Sequence, residues 1–188
     1  MPTQQGSANL SAAREAVQYV KGKVKLGAAN NPFKLQSGPV GQLKAMDAIL
    51  KVWKGEDADM EAKFINPADG LRVAQTFAAN AELYGAGNCG EQSAMAYIHL
   101  RNRGVFPIDW VRFNDKDHGF VIVGRTKHGS YKGDEITRQP WFEDVVICDA
   151  YWNRADYWKN LLPEYKPKSV VVILHQESRD ELHQWINK

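Results

Sequence analysis

Cys89 stands in the stretch GAGNCGEQSAMAYIHLRNRG, residues 85–104, where glycine-rich chain gives way to a helical pattern. A thiol acts as a nucleophile only as thiolate, and a helix N-terminus favours that form through its unpaired N–H groups and its dipole. The same N–H groups are donors for an oxyanion forming on an attacked carbonyl. Gly85, Gly87 and Gly90 let the backbone turn sharply and leave room for a substrate. The ordinary alternative for any cysteine is a packed core thiol. What decides between the two is whether the chain also supplies a base and a group to orient it.

His118 opens the apolar run HGFVIVG after the polar segment NDKD, and Asp149 closes the apolar run VVICD before AYW. A histidine entering one strand and a carboxylate ending a neighbouring one can meet a helix-start cysteine at a single sheet–helix junction. The carboxylate then fixes the imidazole tautomer and stabilises its cation, while the imidazole takes the thiol proton. Taken singly, His118 reads as a loop histidine and Asp149 as a turn or cap aspartate; their shared context makes the triad. The other histidines lack this setting: His99 is mid-helix, His128 lies in a polar insertion, His175 ends a strand and His183 sits in the tail. Cys148 points to the strand face opposite Asp149 and reads as a core cysteine.

The elements that must carry these residues follow from periodicity and punctuation. The first nine residues are polar and predicted to be disordered, with a helix from Leu10 to Lys23 and a loop over 27–39. Apolar spacing of three and four (Leu43, Met46, Ile49, Leu50, Trp53) predicts a second helix ending at Gly55. A third is predicted from Asn66 as N-cap and Pro67 to Gly85, and a fourth from Cys89 to Arg103. Then the period changes: IDWVRF, GFVIVG, DVVICD and SVVVILH read as buried strands. Residues 125–139 form a polar insertion, 154–162 a short helix, and 178–187 a tail helix with Ser178 and Glu181 in capping-box spacing. Helices first and strands afterwards predict an α+β fold, N-terminal helices packed on an antiparallel sheet. No repeat or linker divides residues 1–188, so one domain is expected, with its catalytic core over 66–175.

Composition narrows the function classes. A balance of 24 basic and 22 acidic residues in 188, with no charge block, gives no case for nucleic acid. No apolar run reaches the ~18 residues of a membrane span. The polar start is unlike a cleaved signal peptide, so the chain is expected to be cytoplasmic as made. Two cysteines build no disulfide framework, and no CxxC or HxxxH pair suggests a metal site; neither metal nor cofactor is expected. A monomer is expected.

The blocks GNCGEQSAMAYIHLRNRG, DHGFVIVG and VVICDAYW resemble the three blocks of papain-like and transglutaminase-like Cys-His-Asp enzymes. The nearest likeness is to the bacterial effector and toxin branch, which contains glutamine deamidases and cysteine proteases. The resemblance covers about residues 80–155. It implies a papain-like or transglutaminase-like core with Cys89 as nucleophile, His118 as general base and acid, and Asp149 as orienter. It further implies a protein substrate, delivery into another cell by a specialised secretion system, and company with a chaperone or immunity protein. Papain-like proteases carry a glutamine six residues before the cysteine, but Leu83 stands here. The oxyanion donor expected instead is the Cys89 N–H with Asn88. Trp141, Tyr151 and Trp152, with Trp110, are expected to line a substrate groove.

Attack of a thiolate on a carboxamide gives a thioester and ammonia, and water then completes deamidation. With a backbone amine leaving the same triad gives proteolysis, and with an amine attacking second, transamidation. Deamidation of a protein Gln or Asn is the favoured reading. Peptidoglycan amidases more often read Asp-Cys-Ser-Gly around the nucleophile. A non-catalytic protein-binding module with an aromatic groove is the alternative of a different class.

Overall fold

The computed structural model describes residues 2–28, 44, 46–52, 67–113, 118–126, 131–132, 142–165 and 169–184. The fold is α+β. Helices α1 (Gln4–Lys23), α2 (46–52), α3 (Pro67–Tyr84) and α4 (Cys89–Asn102) precede the strands, and α5 (Trp158–Tyr165) lies among them. The strands are β1 (Ile108–Phe113), β2 (Gly119–Val123), β3 (Tyr131–Lys132), β4 (Val146–Asp149), β5 (Arg154–Tyr157), β6 (Ser169–Gln176) and β7 (Leu182–Gln184). They form one sheet in the order β3-β6-β1-β2-β4-β5, and every pairing in it is antiparallel. β3 and β7 share the outer edge of β6, one at each end. None of the described helices is long and apolar enough to cross a membrane.

Alternation along β1, β2 and β4 sends side chains to two cores. Trp110, Val121, Val123, Val146 and Cys148 pack with α1, α3 and α4, whereas Val111, Phe120, Ile122 and Ile147 pack with α5 through Trp158, Leu161 and Tyr165. Strands buried on both faces explain the continuous apolar runs of the sequence. Cys148 is a core cysteine as expected: fully buried, its thiol faces the Ala13 carbonyl at 3.4 Å.

Three expectations need correction. Residues 4–9 are not disordered but form the first turns of α1, because Thr3 caps the helix at Gly6 N–H (3.1 Å) and donates through its own N–H and hydroxyl to Asp144 (2.8 and 2.9 Å). Residues 154–157 are strand rather than helix: Asn153 takes a left-handed turn (φ 58°) that folds β5 back on β4, and α5 starts only at Trp158. Within the predicted tail helix, residues 182–184 instead pair with β6. Each of these three is decided by a partner distant in the chain or by one left-handed residue. Asn66 and Trp53 lie outside the described residues, as does most of the 125–139 insertion.

Candidate active site

The helix that carries Cys89 begins where the sequence placed it. Asn88 is the N-cap of α4 and makes a reciprocal capping box with Glu91: its side chain accepts the Glu91 N–H, and the Glu91 carboxylate accepts the Asn88 N–H at 2.8 Å. Gly85 takes a left-handed φ of +64°, and the turn after it is tied to the chain beyond α1, with Leu26 N–H donating to Gly85 O and Gly87 N–H to Gly27 O. Gln92, buried, donates to Gly87 O at 2.6 Å and pins the same turn from inside the helix. The glycine-rich segment is therefore a braced support for Cys89.

His118 and Asp149 share a sheet face. The β2–β4 ladder pairs Val121 with Cys148, so Phe120 falls opposite Asp149 and His118 lies two residues further along the same side. Across that diagonal His118 Nε2 bonds Asp149 Oδ2 at 2.7 Å. Gly119, between them on the other face, lets the strand close on α4. A Cβ there would sit 3.1 Å from Ser93 Oγ and 3.6 Å from the Cys89 carbonyl oxygen. The result joins all three residues: His118 hydrogen-bonds Cys89 as well as Asp149. With Nε2 held by the carboxylate, Nδ1 is the nitrogen left for the sulfur.

The electrostatics follow from burial and charge together. Burial disfavours charge on the His118 ring, yet its hydrogen bonds to Asp149 and Cys89, and the Asp149 charge, outweigh that and push its pKa up to about 9. The imidazole is thus a cation at neutral pH, set between a sulfur and a carboxylate. Asp149 is fully buried and takes three donors: His118, the Trp152 N–H on Oδ1 (3.0 Å), and the Tyr165 hydroxyl on Oδ2 (2.5 Å). Burial and the neighbouring Asp149 charge raise the Tyr165 pKa, so its hydroxyl keeps its proton and donates.

Tyr165 is absent from the sequence reading. Its only local signal is an aromatic at the end of a short helix, and its partner lies 16 residues away. Ser93 was missed too: it donates to Gly90 O (2.8 Å) and accepts from Trp110 Nε1 (2.9 Å), clamping the first turn of α4 onto β1. Trp110, expected in the groove, is instead a buried brace. Tyr151 and Trp152 do flank the site. Their rings lie 5.7 and 6.2 Å from the His118 ring, and Trp152 is 47% exposed. Tyr151 and Ala28 pack on Cys89, leaving the thiol recessed at 7% exposure. Trp141 lies outside the described residues. With its oxygen engaged on the Glu91 N–H, what the Asn88 carboxamide can offer an oxyanion is its NH2 end.

Among the described residues no cluster of His, Cys, Asp and Glu could hold a metal ion. The arrangement suits nucleophilic attack by sulfur with proton transfer through one imidazole. No protein-family model and no curated protein matches the chain.

Proposed function

We propose that this chain is a cysteine-dependent amide hydrolase with a papain-like or transglutaminase-like core. Cys89 is the nucleophile, His118 the general acid and base, and Asp149 the orienter. The observation that carries the reading is the doubly bonded imidazole: His118 meets the helix-start thiol on one side and a fully buried carboxylate on the other. A structural histidine needs no such pairing with a sulfur at a helix N-terminus.

The chemistry runs in two halves. Cys89 Sγ adds to the carboxamide carbon, and the oxyanion is met by the Cys89 N–H and the Asn88 amide. As the C–N bond breaks, His118 gives its proton to the departing nitrogen, and ammonia leaves a thioester on Cys89. Water then attacks the thioester carbon while His118 takes one of its protons. The C–S bond breaks, a carboxylic acid is released, and the thiolate–imidazolium pair is restored. Asp149 keeps Nε2 protonated and the ring in place throughout.

The substrate proposed is the side-chain amide of a protein glutamine or asparagine, and the chain is proposed as a bacterial effector or toxin. Burial of the thiol supports a side-chain amide over a peptide bond, and an exposed aromatic supports a protein substrate. The thiol is recessed behind Ala28 and Tyr151, within reach of an amide on a flexible arm. The exposed Trp152 beside it offers a surface for a protein partner rather than for a free amino acid. Proteomics of cells expressing the wild-type and Cys89→Ala chains tests this. Gln-to-Glu or Asn-to-Asp conversion in unbroken targets, lost in the variant, is the expected result. New termini would make the enzyme a protease, and an unchanged cellular effect with Cys89→Ala would make it a binding module.

A further inference from the structure

Twelve positions beyond Cys89, at about 1.5 Å of rise per residue, α4 ends well away from the thiol. There an open cavity of about 260 Å³ is lined by Arg101, Asn102, Phe106 and Arg179. One buried side chain organises it. The Gln176 Oε1 accepts from Arg101 Nε at 3.0 Å and from the Tyr97 hydroxyl at 3.2 Å, while its Nε2 donates to the Arg179 carbonyl at 3.0 Å. Gln176 is fully buried, so the core sets the Arg101 guanidinium and fixes the backbone from which the exposed Arg179 side chain reaches the cavity. The bond to Gln176 occupies only Nε of Arg101, leaving its two terminal NH2 groups for the cavity it lines.

Neither arginine enters any ion pair among the described residues. Of the acids beside Arg179 in the chain, Glu177 is turned to His175 Nε2 at 2.9 Å, and the exposed Asp180 and Glu181 form no ion pair among the described residues. Two guanidinium groups on one small cavity repel each other unless an anion lies between them. Their planar forks match the oxygens of a phosphate better than a lone halide. An amide at Asn102 and an aromatic wall at Phe106 complete the lining. The bland account, that Arg101 only offsets the negative end of the α4 dipole, leaves Arg179 and the shared glutamine unexplained.

We propose that this cavity binds a phosphate-type oxyanion through Arg101 and Arg179. The site stands apart from the thiol and does not depend on the enzymatic reading. Isothermal titration of the intact chain at constant ionic strength tests it, with inorganic phosphate and adenosine monophosphate as probes and chloride as reference. One-to-one saturable binding is expected, weakened about 10-fold or more by Arg179→Ala and by Arg101→Lys. Arg179 is exposed and Arg101→Lys keeps the charge at the helix end, so both variants should fold, which unchanged circular dichroism and Cys89 alkylation would verify. Tighter binding of the nucleotide assigns the site to phosphate monoesters, and equal binding assigns it to free phosphate. No saturable binding of either probe, or binding unaltered in both variants, overturns the proposal.

Discussion

The hydroxyl of Tyr165 and the Nε2 of His118 converge on one atom, Oδ2 of Asp149, at 2.5 and 2.7 Å. The carboxylate's charge is therefore divided between a neutral donor and the imidazolium. How basic His118 is depends on that division.

Replacing Tyr165 by Phe removes the competing donor and leaves the ring packing against Phe113 and Phe120 in place. Asp149 then interacts more strongly with the imidazolium, and the His118 pKa rises further, by about half a unit to one unit, one unit being ~1.4 kcal/mol. Titration of the His118 ring by NMR measures it. A Tyr165 that serves packing alone would leave the titration where it is.

Asp149→Asn removes the charge that holds His118 and turns one of the two acceptor oxygens into an NH2 donor. Turnover is expected to fall by about 10²- to 10⁴-fold, the usual worth of a positioned acid–base group. The His118 pKa falls with it, because burial then acts with less opposition. Rates measured on whichever amide substrate the proteomics identifies, alongside the NMR titration, give both numbers.

The raised pKa of His118 also predicts how stability follows pH. The ordinary imidazole value is 6.5 and the folded value about 9, so the folded chain binds this proton more tightly than the unfolded chain. The resulting stabilisation is complete below the lower value and is lost as pH rises through the upper one. The melting-temperature difference between wild type and His118→Gln should be largest near neutral pH and below, and should shrink in alkali. A difference that instead grew with pH would contradict a cationic His118. Turnover should decline through the same alkaline range, since the leaving nitrogen needs that proton.

Gly119→Ala tests the strand–helix approach. Its Cβ would press on Ser93 Oγ at 3.1 Å, and Ser93 is held there by Trp110 and by the Gly90 carbonyl. Moving β2 or α4 by a few tenths of an ångström separates His118 from Cys89. The expected outcome is a stability loss of about 1–3 kcal/mol by urea unfolding, with a larger proportional loss of turnover. Gly90→Ala is the control: its Cβ meets nothing within 4 Å, so the fold should be unharmed.

The two thiols should separate by reactivity. Cys148 is fully buried, and burial with the adjacent Asp149 charge pushes its pKa up, so it resists alkylation in the folded chain. Mass spectrometry after a small alkylator should find one label under native conditions, on Cys89, and two after unfolding. Two labels at equal rates on the native chain would count against an activated thiol.

Much of the molecule was legible in its residues. Asn66 and Pro67 opening the α3 segment, glycines before Cys89 and apolar runs bounded by polar breaks are local signals, and they located α3, α4, β1, β2, β4 and β6. Cys89, His118 and Asp149 stood out because each sits at the end of such an element. The N-terminus, β5 and β7 were misread. Thr3 and Asp144, and the pairs that β5 and β7 make with β4 and β6, are contacts that no local pattern announces.

By itself the chain determined where α3, α4, β1, β2, β4 and β6 lie and which side chains stand at their ends, because backbone preference and hydrophobic period are properties of neighbouring residues. Only the tertiary structure decided that Tyr165 shares Asp149 with His118, that Trp110 braces Ser93 instead of lining a groove, and that Arg101, held by Gln176, shares one cavity with Arg179. Those relationships depend on ladder register and on helix-to-sheet distance, which arise when distant segments pack, and a side chain's partner is chosen at that step.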